Sequence, residues 1–128
     1  PFGYGLSYTS FEYSDLALTQ STLPLGEPVA VTVQLTNSGA YAGSEVVQLY
    51  IRDRVASTIR PLKELKGFQK VSLAAGETQQ LRFILGPDEL GFYSGDGRFQ
   101  IEPGNFDVFV GGSSVDTLQA SFEWLEVE

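Results

Sequence analysis

Regular alternation of apolar and polar residues between Gly26 and Ile51 is the sequence feature that most constrains this fold. Every second residue from Val29 to Leu35 is a branched aliphatic, and the same period returns from Val47 to Ile51. A period of two is typical of a β-strand with one buried and one solvent-facing side. Because Asn37–Gly39 favours a turn between the runs, the sequence predicts an antiparallel hairpin whose apolar side a second layer must cover.

The same alternation continues along the chain. It predicts further strands at Ser10–Gln20, Glu77–Leu85, Asn105–Gly111 and Thr117–Val127. In the first of these the apolar parity changes, so a β-bulge or a change of sheet is expected near Ser14–Asp15. Gly86–Leu90 has the signals of a single helical turn. Seven to eight short strands with turns between them predict an all-β, antiparallel β-sandwich. The predicted core comprises Val31, Val33, Leu35, Val47, Leu49, Leu81, Phe83, Phe106, Val108 and Phe122.

Composition removes most catalytic chemistry from consideration. The chain has no Cys and no His, which excludes the usual zinc ligand sets, cysteine nucleophiles and imidazole bases. Its sixteen acidic residues fall mostly in turns or on outward strand positions, as solvated surface charge does. We therefore predict no catalytic residue, no metal site and no cofactor. No apolar run approaches the roughly 20 residues that span a bilayer, so no membrane partner is expected.

Charge is unevenly distributed along the chain. The net charge is −8, yet residues 52–70 hold six basic and two acidic residues, a net +4. An acidic body argues against nucleic acid as a partner. The basic segment has three interpretations: a solvated loop, a surface that docks on an acidic face of a neighbouring domain or subunit, or a site for an anionic polymer. Under the second interpretation Arg54, Arg60 and Lys63 are the interface cations.

Residues 1–9 have two interpretations. Aromatic and apolar residues alternate with glycines here, at Phe2, Tyr4, Leu6 and Tyr8. They could form a strand end that packs on its own domain, or a linker held against a neighbouring domain. We favour the linker, because exposed aromatic clusters mark interaction surfaces, and place the domain itself at residues 10–128. The chain lacks Met altogether, so we expect a piece of a longer protein, the alternative being a processed mature N-terminus.

Aromatic residues outside the predicted core are candidates for sugar contacts. Pyranose rings stack on Tyr and Trp side chains, whose faces are apolar and whose tips are polar. Tyr41 lies in a predicted loop and Tyr93 precedes a turn, so both are candidate ligand contacts. Trp124 shares its parity with Phe122, which favours a place in the core.

Several segments, in order and spacing, resemble a known family. They are PFGYGLSYTSFEYS, EVVQLYIRD, RPLKELKGFQKVSLAAGET and EPGNFDVFVGGSS. Together they resemble the C-terminal fibronectin type III-like domain of glycoside hydrolase family 3, and bacterial, periplasmic-type β-glucosidases in particular. The resemblance implies an immunoglobulin-like sandwich in a parent with a barrel that carries an Asp nucleophile and an α/β sandwich that carries the Glu acid/base. Neither catalytic motif occurs in residues 1–128, so no catalytic role is transferred to this chain.

We therefore expect a non-catalytic accessory domain that stabilises the barrel and α/β-sandwich domains of a β-glucosidase-type parent. The resemblance implies that this parent is a retaining hydrolase of terminal non-reducing β-D-glucosyl or related residues, in the periplasm or outside the cell. An alternative is a carbohydrate- or polymer-binding module that holds the enzyme near a polysaccharide or lignin surface. A cell-surface adhesion module is suggested by the fold alone, which does not determine function.

Overall fold

The computed structural model describes residues 9–54, 63–113 and 115–126, and it places nearly all of them in strands or short turns. The elements in chain order are β1 (Phe11–Leu18), β2 (Thr22–Pro24), β3 (Val29–Asn37), β4 (Gly43–Asp53), β5 (Glu64–Leu73), β6 (Thr78–Leu85), α1 (Pro87–Leu90), β7 (Phe92–Tyr93), β8 (Phe99–Gln100), β9 (Gly104–Gly111) and β10 (Thr117–Leu125). The predicted helical turn is confirmed as α1.

Eight of these strands form two facing sheets. The smaller sheet has the order β1-β3-β6, and the larger has the order β2-β10-β9-β4-β5. Neighbours pair antiparallel except β2, which runs parallel to β10. Strands β7 and β8 form a separate small hairpin. The predicted all-β sandwich is confirmed.

The core lies between the two sheets. All ten predicted core residues are buried, and Trp124 is fully buried as well. The Trp124 indole N–H donates to the carbonyl of Glu27 at 2.9 Å, which satisfies its polar atom inside the core. Phe106 stacks on its cross-strand partner Phe122, with ring centroids 5.2 Å apart, and meets the Trp124 ring edge-on at 5.6 Å. The alternation of apolar residues along each strand therefore identified these core residues correctly.

The predicted hairpin between the first two alternating runs is wrong. Strand β3 pairs with β1 and β6, whereas β4 pairs with β5 and β9 in the other sheet. Residues 38–42 therefore cross between the sheets instead of reversing within one. Two amphipathic strands can bury their apolar sides by facing each other as well as by lying side by side, so alternation alone does not distinguish the two arrangements.

The change of parity in β1 has the predicted cause. The register with β3 shifts between Ser14 and Ala17, and Asp15 has a φ of 54°, in the left-handed region. The extra residues at this β-bulge rotate the strand, so that apolar side chains from both halves of β1 pack against the core.

The strands place loops at two opposite ends of the sandwich. The N-terminal end, where β1 begins, also carries the connections 38–42 and 74–77, together with residues 112–113 and 115–116 between β9 and β10. The C-terminal end, where β10 finishes, carries the β7–β8 hairpin and the end of β4 at Arg54. These ends and the outer sheet faces are the surfaces available for function.

Candidate functional site

The outer face of the larger sheet carries a buried carboxylate held by two arginines. Asp107 points outward from β9 yet has no exposed surface, because Arg52 and Arg54 cover it. Arg52 donates through Nε and Nη2 to one carboxylate oxygen, at 3.0 and 2.8 Å, and Arg54 donates to the other at 2.9 and 2.6 Å. The Ser121 hydroxyl donates a fifth hydrogen bond at 2.8 Å. These five bonds occupy the carboxylate fully, as a buried charge requires.

The electrostatics of this cluster keep Asp107 ionised. Burial alone would raise the pKa of its carboxyl group. Hydrogen bonds from Arg54, Ser121 and Arg52, together with the positive charge of Arg54, outweigh burial and lower the pKa from 3.8 to about 2. The same pairing raises the pKa of Arg54. The cluster is therefore charged at every pH near neutrality, and it joins β4, β9 and β10 across the sheet.

Two cations cover Phe109, two residues further along β9 on the same face. The Arg52 guanidinium lies 5.1 Å from the Phe109 ring centroid, and the Lys63 ammonium lies 4.1 Å from it. Both distances are in the range of cation–π attraction. Phe109 is consequently buried although its side chain points away from the core. Arg54 and Lys63, which flank the undescribed residues 55–62, are thus both bound to side chains of β9.

Exposed apolar side chains continue this face towards β5. Register partners share one face of a sheet. Tyr50 and Gln48 point outward. Tyr50 is paired with Leu65, and Gln48 is paired with Phe68. With Val46, the residues Leu65 and Phe68 form what we call the outer patch, in which all three side chains are exposed and Phe68 is 67% exposed. Exposed apolar groups next to ordered cations are typical of a surface that another protein unit covers.

The N-terminal end is organised by one buried amide. The Asn37 side chain donates to the carbonyls of Tyr41 and Leu73, at 2.8 and 3.1 Å. Its oxygen accepts from the Gly39 N–H and from the Thr9 hydroxyl. Asn37 has no exposed surface, and its four hydrogen bonds join the crossing loop, the end of β5 and Thr9, two residues before β1. Thr9 is therefore held against the sandwich at this end.

A cleft of about 530 Å³ opens beside β1 at the same end. Glu12, Glu45 and Asp116 contribute carboxylates to it, of which the first and last are exposed and Glu45 is half-buried. The Tyr13 hydroxyl donates a hydrogen bond to Glu45 at 2.7 Å. The pKa of Tyr13 is raised, mainly because the hydroxyl is buried and further because the Glu45 carboxylate lies beside it. The carboxylates of the cleft are therefore open to solvent or, at Glu45, bound by the Tyr13 hydroxyl.

The residues predicted from the sequence as contacts are distributed over three places. Arg54 and Lys63 lie on the outer face of the larger sheet, whereas Tyr41 and Tyr93 are exposed at the N-terminal and C-terminal ends, respectively. The interface candidates Phe2, Tyr4, Leu6, Tyr8 and Arg60 lie outside the described residues.

Sequence reasoning missed Asp107 and Asn37 as organising residues. The available signal for Asp107 was a lone carboxylate in a β9 run of valine and phenylalanine. Asn37 was interpreted only as a turn former, and its buried hydrogen bonds depend on tertiary contacts that a local pattern does not contain.

Within the described ranges, no helix has the length and apolar character needed to cross a bilayer. Among the same residues, no group of three acidic side chains is arranged to hold a metal ion. In the part of the chain that the structure describes, the only fully buried carboxylate is Asp107, and it is occupied by its own partners.

Three- and five-stranded sheets with these strand orders define an immunoglobulin-like β-sandwich. Within that class the particular family is given by the sequence. The chain belongs to the fibronectin type III-like domain family, whose match covers residues 45–114.

Relatives named as glycosidases contain a segment similar to this chain as one part of their length. The periplasmic β-glucosidase of Salmonella typhimurium is 42% identical over 98% of this chain and 16% of its own length. Beta-glucosidase BoGH3A of Bacteroides ovatus is 40% identical over 98% of this chain and 17% of its own length. A β-xylosidase of Formosa agariphila is 46% identical over 89% of this chain. The resemblance to the fibronectin type III-like domain of family 3 enzymes is confirmed, and the chain spans about one-sixth of these relatives.

Solved structures give the same result. A β-glucosidase from Erythrobacter marinus superposes with a TM-score of 0.89 at 42% identity, over 98% of this chain and 17% of that one. The β-glucosidase of Listeria innocua, solved in complex with gluconolactone, superposes with a TM-score of 0.86 at 44% identity, over 97% of this chain and 17% of that one. In each case the match is a single domain of a larger enzyme.

Proposed function

We propose that this chain is a non-catalytic accessory domain that stabilises the catalytic domains of a β-glucosidase-type glycoside hydrolase. The observation that carries the proposal is the outer patch. Val46, Leu65 and Phe68 are exposed on a rigid sheet whose own core is complete without them. Such side chains contribute to stability only when another surface covers them, and each buried one contributes about 1–3 kcal/mol. The chain spans only about one-sixth of the length of its relatives, which supports the presence of neighbouring domains that supply such a surface.

The partners proposed are the barrel and α/β-sandwich domains of the parent chain. The arginine cluster and Lys63 border the outer patch, so the face offers apolar contact on β4 and the edge strand β5, with charged groups beside it on β4 and β9. Phe2, Tyr4, Leu6, Tyr8 and Arg60 extend the proposed contact through the N-terminal linker and the β4–β5 connection. Protein interfaces commonly combine apolar contacts with charged and polar groups beside them.

The proposal extends to the parent enzyme. Relatives named β-glucosidase and β-xylosidase support a glycosidase parent that removes terminal non-reducing β-D-glucosyl or related residues. A retaining mechanism needs a pair of carboxyl groups roughly 5 Å apart, which we assign to the other domains. One relative is named periplasmic, which supports a periplasmic or extracellular location.

Paired measurements on two forms of the protein test the accessory role. In the full-length enzyme, Phe68→Ser should lower the midpoint of thermal inactivation by about 2–4 °C, because it removes apolar contact with a neighbouring domain. In the 128-residue chain alone, the same substitution should leave the unfolding midpoint unchanged within about 1 °C, since Phe68 is already exposed there.

Ile84→Ser is the matched control for this experiment. Ile84 is 51% exposed on β6, on the outer face of the smaller sheet, so its loss should have no effect on either form. An inactivation midpoint that is equal for wild type and Phe68→Ser in the full-length enzyme would contradict the proposed interface.

A further inference from the structure

The β7–β8 hairpin presents two aromatic rings at the C-terminal end of the sandwich. Tyr93 is 72% exposed and Phe99 is 44% exposed. They are cross-strand partners, with ring centroids 5.2 Å apart and ring planes inclined at 64°. The rings therefore form an open corner, in which one side of Tyr93 is free and Phe99 stands beside it. Neither ring belongs to the core or to the outer patch.

Backbone contact positions the Phe99 ring, and hydrogen bonds close the turn between the two strands. A side chain at Gly91 would bring its Cβ to 2.3 Å from Cζ of Phe99, so the Phe99 ring lies directly on this glycine. The turn is closed by hydrogen bonds from Ser94 N–H to the Arg98 carbonyl and from Gly97 N–H to the Ser94 carbonyl, both at 2.9 Å. Gly97 has a φ of +85°, which suits this position. A binding surface that is already ordered loses little conformational entropy on binding.

We propose that this hairpin is a binding site for β-linked glucan. The apolar face of one glucosyl ring would lie on Tyr93, with Phe99 as a side wall. The sugar hydroxyls would meet Asp96 and Arg98, whose side chains are exposed at the turn and lie only 3.9 Å apart at their closest charged atoms. An aromatic ring with a few polar groups around it is a common arrangement for sugar recognition. Hydrogen bonds from the Ser94 hydroxyl and the Arg98 amide lower the pKa of Asp96, so it remains an acceptor.

The size of the surface favours a sugar over a protein partner. A stable protein interface covers roughly 800 Å² on each partner, whereas here two rings project from a hairpin whose turn is polar and charged. Their extent matches one or two sugar units. The site also lies at the end of the sandwich opposite Thr9, away from where the chain approaches from its N-terminal side. The choice of β-linked glucose rests on the proposed function, but the presence of the site does not.

Affinity electrophoresis of the 128-residue chain tests this site. Native gels would contain soluble mixed-linkage β-glucan, with dextran, an α-linked glucan, as the polymer control. We expect the wild-type chain to be retarded by β-glucan and not by dextran. Tyr93→Ala should weaken the apparent affinity roughly fivefold to tenfold, and Phe99→Ala should weaken it to a smaller degree.

Ile84→Ala is the control, because Ile84 is 51% exposed on the outer face of the smaller sheet and is not a candidate sugar contact. It should be retarded like wild type. Circular dichroism melts of each variant would show that the sandwich is intact. No retardation of the wild-type chain, equal retardation by dextran, or retardation that Tyr93→Ala leaves unchanged would each overturn the proposal. Binding through Tyr93 to lignin particles without binding to β-glucan would also overturn it. None of these results would alter the inactivation midpoints that test the accessory role.

Discussion

At the scale of single residues, the most constrained side chain is a carboxylate on the outside of a sheet. Asp107 has no exposed surface, and five hydrogen bonds reach its two oxygens. Burying an unpaired carboxylate would be strongly unfavourable, so the two arginines are needed for Asp107 to occupy this position at all. The ionised carboxylate also neutralises part of the positive charge of the basic segment, residues 52–70, where β4 ends.

The lowered pKa of Asp107 predicts a specific pH dependence of stability. A carboxyl group with a pKa of about 2 when folded, against 3.8 for the group in its ordinary state, stabilises the fold above pH 4 by roughly 2.5 kcal/mol. This contribution should be lost as the pH falls from about 4 to 2. Asp107→Asn should remove it, so the free energy of unfolding of that variant should decline less over this range.

Guanidinium unfolding at pH 7 and at pH 2.5 would measure the difference. At pH 7 we expect Asp107→Asn to be less stable by about 2–4 kcal/mol, because two arginines lose their partner. Ser121→Ala, which removes one hydrogen bond and no charge, should cost about 1 kcal/mol. Glu12→Gln, at an exposed carboxylate, is the control. A wild-type protein whose loss of stability with acid equals that of Asp107→Asn would contradict the assignment.

At the scale of elements, the sequence predicted strands better than it predicted their pairing. Alternation located β3, β4, β6 and β9, and a parity change in β1 predicted its bulge, because burial on one face is a local property. The β3–β4 hairpin was wrong, because the choice between the two sheets depends on partners distant in the chain. The sequence identified candidate contact residues one by one. Their separation over the two ends and one face of the sandwich depends on the strand pairing, which the sequence did not predict.

The crossing between the sheets depends on Asn37, which predicts a large effect of a small substitution. Asn37→Ala would leave the buried carbonyl of Leu73 and the groups around Tyr41 and Gly39 without their partner. We expect a loss of about 2–4 kcal/mol in urea unfolding.

Asn37→Asp retains the acceptor, but it loses both donors and places a buried negative charge beside two carbonyl oxygens, so at pH 7 it should be at least as destabilising as Asn37→Ala. Ser38→Ala, at the exposed neighbour, should change stability by less than about 0.5 kcal/mol. If Asn37→Ala and Ser38→Ala unfolded at the same urea concentration, the role of the amide would be refuted.

At the scale of the whole molecule, the described residues form a scaffold of two packed sheets. Its interior is filled by aliphatic and aromatic side chains, and its cleft carries carboxylates that are exposed or half-buried. We therefore expect the purified 128-residue chain to fold and to leave aryl β-glucosides intact over hours. Release of the chromophore, compared with a full-length β-glucosidase as positive control, measures this. Turnover that survives repurification and disappears on unfolding would show that the chain is itself an enzyme.

The opposite placement of Thr9 and Leu125 has a mechanical consequence. A stretching force applied between them acts along β1 and β10, parallel to the strands. Ladder hydrogen bonds run across antiparallel strands, so such a load falls on every bond of a ladder at once and does not open them one after another. Strand β10 is also held on both sides, by β9 and by the short parallel β2. We therefore expect the sandwich to resist a stretching force that is applied between Thr9 and Leu125.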